Sequence, residues 1–459
     1  MTNEVGGKGF FFYFGGGGGG YYIGSQVNYI LDALKKENIN ITLNKKAVYF
    51  MLTYACMADD STYANEIKRL PAGHYIQIEN GQISINEYWS LQKNRYNLTG
   101  YSDDEIIEQL DQKFRSAIKL EYDKDNEYNY RHITDLSGGL DSRMNTWVAH
   151  DMGFTDIVNI TYSQSNYLDE NIAKKVARYL HNELIFKQLD DVSFIYDIDE
   201  MVNMNYGTCL YCGLTGGKRL FDCLNFQAFG VKHTGALGDV ILGSYLHNAG
   251  DLNKKYLDGQ CSGRLNLKVE KKHLDKYADH ELYMMNVRGF LGILSSNFVY
   301  QNYTEMSSPF LDVDFLEYCF SIPIEKRIKH YIYQKWILKK YPEAAGFKWE
   351  AINSKITMNK YLRLFKNFLR NKFRGFLRRA NLNSIMSNTS MNPFDYWYAK
   401  NENNIRDFIL KYYNDKLYVV MDDDIRKDMQ ELFNKGSTIE KTLVLTALAS
   451  IKFYFHNRM

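Results

Sequence analysis

The residues whose types and spacing point to chemistry are Ser137-Gly138-Gly139-Leu140-Asp141-Ser142. They join a strand-like run, 130–136, to a helix-like run that starts at Asp141. Adjacent glycines let the backbone turn tightly and bring amide N–H groups to an anion. Ser137 and Ser142 add hydroxyls, and a helix N-terminus adds partial positive charge. Asp141 repels an anion unless a cation lies between them, and a carboxylate beside phosphates is a usual holder of Mg²⁺. The loop therefore predicts a pyrophosphate site; its bland reading is a glycine turn capping a helix. Thr234-Gly235-Ala236-Leu237-Gly238-Asp239 repeats the pattern, with a strand-like run entering glycines and then a carboxylate. Side by side, the two loops would let Asp141 and Asp239 share Mg²⁺ across a pyrophosphate.

Such loops need a parallel sheet to align them. From about residue 128 strand-like runs at 130–136, 156–162, 184–189 and 229–234 alternate with helix-like runs at 141–152 and 168–180. That spacing predicts an α/β fold with an open, mainly parallel sheet whose ligands sit beyond the C-terminal strand ends. After about 240 the chain reads mainly helical. Residues 1–95 read as part of a β-rich domain. They contain aromatic strands at 10–14 and 21–23, helices at 27–36 and 45–57, and a hairpin around Asn80-Gly81. Residues 91–103 read as a linker and 104–119 as an amphipathic helix. The six glycines at 15–20 are followed by another strand-like run, so they predict a hairpin turn and not a phosphate cradle.

Composition narrows the function. A length of 459 residues allows two or three domains, and a net charge of +2 argues against a nucleic-acid-binding protein. Six cysteines in so long a chain make no disulfide framework, and Cys209-x-x-Cys212 lacks a second pair for zinc. No run has the length of a signal peptide's apolar core or a membrane span, so a cytoplasmic enzyme without membrane partners is expected. The Arg/Lys and Phe residues between 363 and 379 predict an amphipathic helix.

The order of motifs resembles the asparagine synthetase superfamily of ATP pyrophosphatases, which includes β-lactam synthetase. Arg69-Leu70-Pro71-Ala72-Gly73-His74-Tyr75, followed by Tyr88-Trp89, resembles the end of that family's glutaminase domain. Ser137–Ser142 is similar to its pyrophosphate loop, Asp169-Glu170 to its post-strand segment, and Gly235–Asp239 to its second Mg²⁺ loop. Ser308-Pro309-Phe310-Leu311-Asp312 resembles its Pro-Phe-Leu-Asp signature, and Lys335 falls in its late lysine segment.

The resemblance implies a sheet of the ATP-pyrophosphatase type over residues 96–459, preceded by a partial, inactive glutaminase-like domain over 1–95. It implies adenylation of a carboxylate, aspartate first, by ATP and Mg²⁺, followed by displacement of AMP by ammonia or another amine. Ser137, Gly138, Gly139, Leu140, Asp141, Ser142, Thr234 and Gly235 are then expected to hold ATP or pyrophosphate, and Asp141 and Asp239 the metal. Lys335 is expected to stabilise developing charge, and Glu305 to orient or deprotonate the nucleophile. The chain begins Met1-Thr2-Asn3 and its first cysteine is Cys56, so glutamine hydrolysis is not expected: either ammonia arrives free or from a separate source, or another amine is used, or the N-terminus is truncated. Ala236 stands where the family has a glutamate or tyrosine, and Ser307 where it usually has an arginine. The alternatives are a related ligase with another acid and amine, or a scaffold without turnover.

Overall fold

The computed structural model describes residues 1–15, 20–213, 215–253, 260–269, 275–359 and 390–456. Its centre is a five-stranded, all-parallel sheet of β6 (Arg131–Asp135), β7 (Ile157–Ser163), β8 (Glu183–Gln188), β9 (Phe229–His233) and β10 (Met306–Ser307). The strand order is β10-β9-β6-β7-β8. The chain moves outward from β6 through β7 to β8, then crosses back to place β9 on the other side of β6. The sheet thus reverses between β6 and β9, where the loops leaving the two strands diverge and leave a crevice.

The α/β expectation and the parallel sheet are both present. The helices α4 (Asp141–Asp151) and α5 (Leu168–Leu180) follow β6 and β7 as the alternating pattern requires. The helix preceding the sheet, α3, runs from Asp103 to Glu127 and is longer than the 104–119 stretch that periodicity marks. Its start is set by a capping box between Ser102 and Glu105. It continues past Lys119 because Tyr122 and Asp125 are buried against the sheet. The helix predicted at 45–57 stops earlier, as α2 (Lys45–Tyr54), where Ala55 adopts a left-handed conformation, φ 62°.

The N-terminal region has α1 (Val27–Lys36) and a three-stranded antiparallel sheet of β1 (Phe11–Phe14), β2 (Tyr21–Gly24) and β3 (Lys68–Arg69). The hairpin β4 (His74–Glu79) and β5 (Gln82–Glu87) turns at Asn80 and Gly81, both with positive φ, as an Asn-Gly turn favours. Glycines 16–19 of the predicted β1–β2 turn, and the basic stretch at 363–379, lie outside the described residues.

The expected division near residue 95 does not separate two cores. One core joins Phe11, Val48 and Phe50 to Ile133 and Val158 of the sheet and to Leu443 and Leu448 of the helix Thr438–Phe455. The other joins Ile107 and Phe114 of α3 to Met144 of α4, Phe310, and Trp336 of the helix Tyr331–Lys340. No helix among the described residues is long and apolar enough to cross a membrane.

A buried polar chain ties the cores to the crevice. The Tyr122 hydroxyl donates to Asn145 Oδ1 at 2.9 Å and lies 2.9 Å from Thr134 Oγ1; Asn145 Nδ2 donates to the Thr234 carbonyl at 2.8 Å. Removing one hydroxyl would leave two buried groups short of a partner, a loss of about 1–3 kcal/mol. Tyr122→Phe is expected to lower stability by about that amount, read from the midpoint of urea unfolding.

Candidate active site

The loops after β6 and β9 meet at the sheet reversal. Gly235 has no room for a side chain: a Cβ there would lie 2.4 Å from the Ser142 nitrogen. At Gly238 it would lie 2.8 Å from the Asp141 carboxyl carbon and 2.9 Å from the Phe310 ring. These glycines let the second loop close onto the start of α4. Phe310 is fully buried, and Asp312 caps the helix Val313–Ser321 through Phe315 N at 3.0 Å. The Pro-Phe-Leu-Asp segment therefore buttresses the second loop from below.

Asp141 and Asp239 are brought together. Asp141 Oδ2 accepts the Asp239 backbone N–H at 2.9 Å, and its Oδ1 accepts the Tyr333 hydroxyl at 2.7 Å. Burial pushes the Asp141 carboxyl well above the usual carboxylate range, and the nearby Asp239 carboxylate pushes it further. Two like charges at such a distance favour a shared proton or a cation between them. Each bonded oxygen of Asp141 retains a further lone pair, so the pair fits a divalent cation.

The first loop is held by its own side chains. Ser137 N donates to Ser142 Oγ at 2.9 Å, the two serine hydroxyls are 3.0 Å apart, and Gly139 N donates to Ser137 Oγ at 3.1 Å. Gly138 N donates to Asp169 Oδ1 at 2.7 Å. An anion here would take these amides from the side chains, joined by the first-turn N–H groups of α4, which have no partner within their own helix. Leu140, in contrast, is buried in the core and offers only its backbone.

A cavity of about 300 Å³ opens on both loops. Its lining includes Ser137, Gly139, Asp141, Ser142, Thr234 and Gly235, so six of the residues expected at the nucleotide share one wall. Among the described lining residues, Lys232 alone carries a positive charge. Its ammonium is 2.6 Å from Asp135 and faces the Tyr300 ring at 5.2 Å.

Lys335 and Glu305 are placed elsewhere. Lys335 is 45% exposed and pairs with Asp103 at 2.5 Å, on the outer side of its helix. The reason lies in that helix: Ile332, Tyr333, Trp336 and Ile337 form its buried stripe, which turns Lys335 outward and Tyr333 toward Asp141. Glu305 is 58% exposed and pairs with Lys8 at 2.9 Å; only its carbonyl reaches the sheet, accepting from Lys232 N.

Sequence reasoning passed over Lys232, Tyr333, Arg143 and Glu350. Arg143 is buried, and its guanidinium donates to the carbonyls of Gly138, Ala344 and Lys348, clamping the first loop to the segment after residue 340. Glu350 N donates to the Gly138 carbonyl at 3.0 Å, and the Tyr167 hydroxyl donates to Glu350 Oε1 at 2.5 Å. The one signal in the sequence for Lys232 is its place two residues before Thr234, after the apolar start of the strand Phe229–His233.

The chain matches no model of a known protein family, and no curated protein sequence matches it. The chemistry of the site must be argued from its own residues.

Burial raises the Asp169 carboxyl to about 6, with the Gly138 N–H opposing and Glu350 adding to the rise. The folded chain then binds this proton more tightly than the unfolded chain, whose carboxyl titrates near 3.9. Stability from this residue is full below about pH 4 and declines as pH rises to about 6. Asn at this position keeps an oxygen for Gly138 N–H without the charge. Asp169→Asn is expected to match the parent protein near pH 4 and to exceed it by about 2 kcal/mol near pH 8, measured by denaturant unfolding at both values.

Proposed function

We propose that the chain is an ATP-dependent carbon–nitrogen ligase of the asparagine synthetase kind. It activates a carboxylate as an acyl-adenylate with release of pyrophosphate, then passes the acyl group to ammonia or another amine. The observation that carries this reading is the meeting of Asp141 and Asp239 at the mouth of a glycine-serine loop, at the sheet reversal where open α/β sheets bind nucleotides.

Asp141 and Asp239 are the residues that hold Mg²⁺, and the ion supplies charge neutralisation for the departing pyrophosphate. The amides and hydroxyls of the Ser137–Ser142 loop orient the phosphates. Lys232 takes the part expected of Lys335, placing a positive charge in the cavity beside the reacting phosphate. Catalysis on this reading is positioning and electrostatics, with little covalent work for the protein. ATP, Mg²⁺ and a small carboxylate are the ligands, and aspartate is the first acid to test. Six cysteines, none in a disulfide, suit a reducing cytoplasm.

A second reading keeps adenylation and changes the acid and amine, and Ala236 favours it. Ala236 lines the cavity at a position where proton transfer from the amine would be useful, and its methyl group takes up no proton.

ATP–pyrophosphate exchange with aspartate and the other amino acids as candidate acids tests the proposal. Exchange is expected with at least one acid, and none at saturating Mg-ATP would sink it. Asp141→Asn is expected to reduce exchange by about 100-fold or more with unfolding midpoints unchanged or higher, since it removes a buried charge. Lys335→Ala is expected to leave exchange within about threefold, as for other surface substitutions.

A further inference from the structure

Beside the nucleotide cavity lies a second one of about 390 Å³. The two share Thr234, Ala236, Asn297 and Met306 in their walls, so they are neighbours separated by these side chains. The second cavity is far larger than an ammonium ion, which needs about the ~30 Å³ of a water molecule. Two carboxylates line it, Glu121 of α3 and Asp312. Two lysines line it as well, Lys8 paired with Glu305 at 2.9 Å and Lys124 with Glu127 at 2.9 Å on the solvent-exposed side.

Glu121 is held by a buried network that the adenylation step does not use. Ser307 Oγ donates to Glu121 Oε1 at 2.5 Å, and His233 Nδ1 lies 3.3 Å from Glu121 Oε2. His233 Nε2 is 2.7 Å from Asp125 Oδ2, and His132 Nδ1 is 2.9 Å from the same oxygen. Asp125, His132 and His233 cluster tightly enough to suggest a metal site. However, both imidazoles share one oxygen at hydrogen-bond distance, and the other His233 nitrogen faces Glu121, so the cluster holds protons. His233 has a carboxylate at each ring nitrogen. Burial lowers its affinity for a proton, and the bonds to Asp125 and Glu121 outweigh that and raise it.

We propose that this second cavity receives the amine substrate as its ammonium ion and that Glu121 is the base that takes its proton. The assignment rests on the adenylation reading and names the acceptor class and base for the second half-reaction. The ammonium nitrogen gives one proton to the Glu121 carboxylate and exposes its lone pair. That pair forms the C–N bond at the acyl carbon, and the carbonyl electrons move to oxygen. The carbonyl re-forms, the C–O bond to AMP breaks with its pair remaining on AMP, and the phosphate takes the second N–H proton.

Burial raises the Glu121 carboxyl above its ordinary range, which strengthens it as a base, while His233 and Ser307 moderate the rise and Asp312 adds to it. The other titratable groups around it are Lys8, Lys124, Asp125 and His132. Asp125, His132 and His233 position Glu121 and do not touch the amine.

The test compares wild-type protein with Glu121→Gln in three assays, using the acid that supports exchange. The assays are ATP–pyrophosphate exchange, hydroxamate formation from hydroxylamine (neutral without help from a base), and amide formation from ammonium chloride or ethanolamine. Glu121→Gln is expected to keep exchange and hydroxamate formation, which also certifies its fold. Amide formation is expected to fall about 100-fold or more and to lose its acidic limb in the pH profile. Amide formation at the wild-type rate, or parallel loss of hydroxamate and amide, would overturn the role of Glu121. Wild-type protein that forms hydroxamate but no amide from either amine would overturn the cavity's assignment. Absence of exchange in wild-type protein would overturn the adenylation reading, and this inference with it.

Discussion

The pairing of β9 with β6 is the constraint on which the site depends. It is parallel, with Ile133 opposite Lys232 and Thr134 opposite His233. Because β7 and β8 occupy the other side of β6, the loops leaving β6 and β9 emerge side by side and then part. The contact of Asp141 with Asp239, the close approach of Gly235 to Ser142, and the hold of Asn145 on Thr234 all follow from that register. A shift of one residue would reverse which side chains face the crevice. Tyr122 and Asn145 therefore tie α3 and α4 to the loop on which the shift would be felt.

The same register concentrates unfavourable charge. Asp141 and Asp239 repel, Asp169 is buried beneath the first loop, and Lys232 is withdrawn from water beside Asp135. None of these raises stability in the way an apolar residue would. Their burial is compensated locally: Tyr333 and a backbone amide serve Asp141, Gly138 serves Asp169, and Arg143 brings a buried positive charge under the loop. Perturbed groups gathered at one crevice are the pattern of a site built to handle charge.

The two loops and their strands were legible because they depend on local rules. Glycines after a strand, a carboxylate opening a helix and period-2 runs are visible in sequence. Asp239, however, lies 98 residues from Asp141 in the chain, and only the crossover that carries β9 past β6 brings them together. The length of α3 was missed because burial of Tyr122 and Asp125 prolongs a helix beyond its apolar stripe. At Lys335 residue type and helical period point in different directions. The stripe Ile332, Tyr333, Trp336 and Ile337 was readable, and it already turned Lys335 outward. Glu305 differs again, because the adjoining edge strand β10 is two residues long and carries no pattern from which its direction could be read.

Ala236 and Ser307, two of the three departures from the resembled family, also sit together in space. Both line the second cavity, and the Ser307 hydroxyl is bonded to Glu121. Read along the chain, each looks like the loss of a functional group. Read in the fold, the small residue at 236 lies in the wall common to both cavities, and the short hydroxyl at 307 meets a carboxylate arriving from α3. The extension of α3 by two turns, which periodicity did not foresee, is what carries Glu121 to Ser307 and His233.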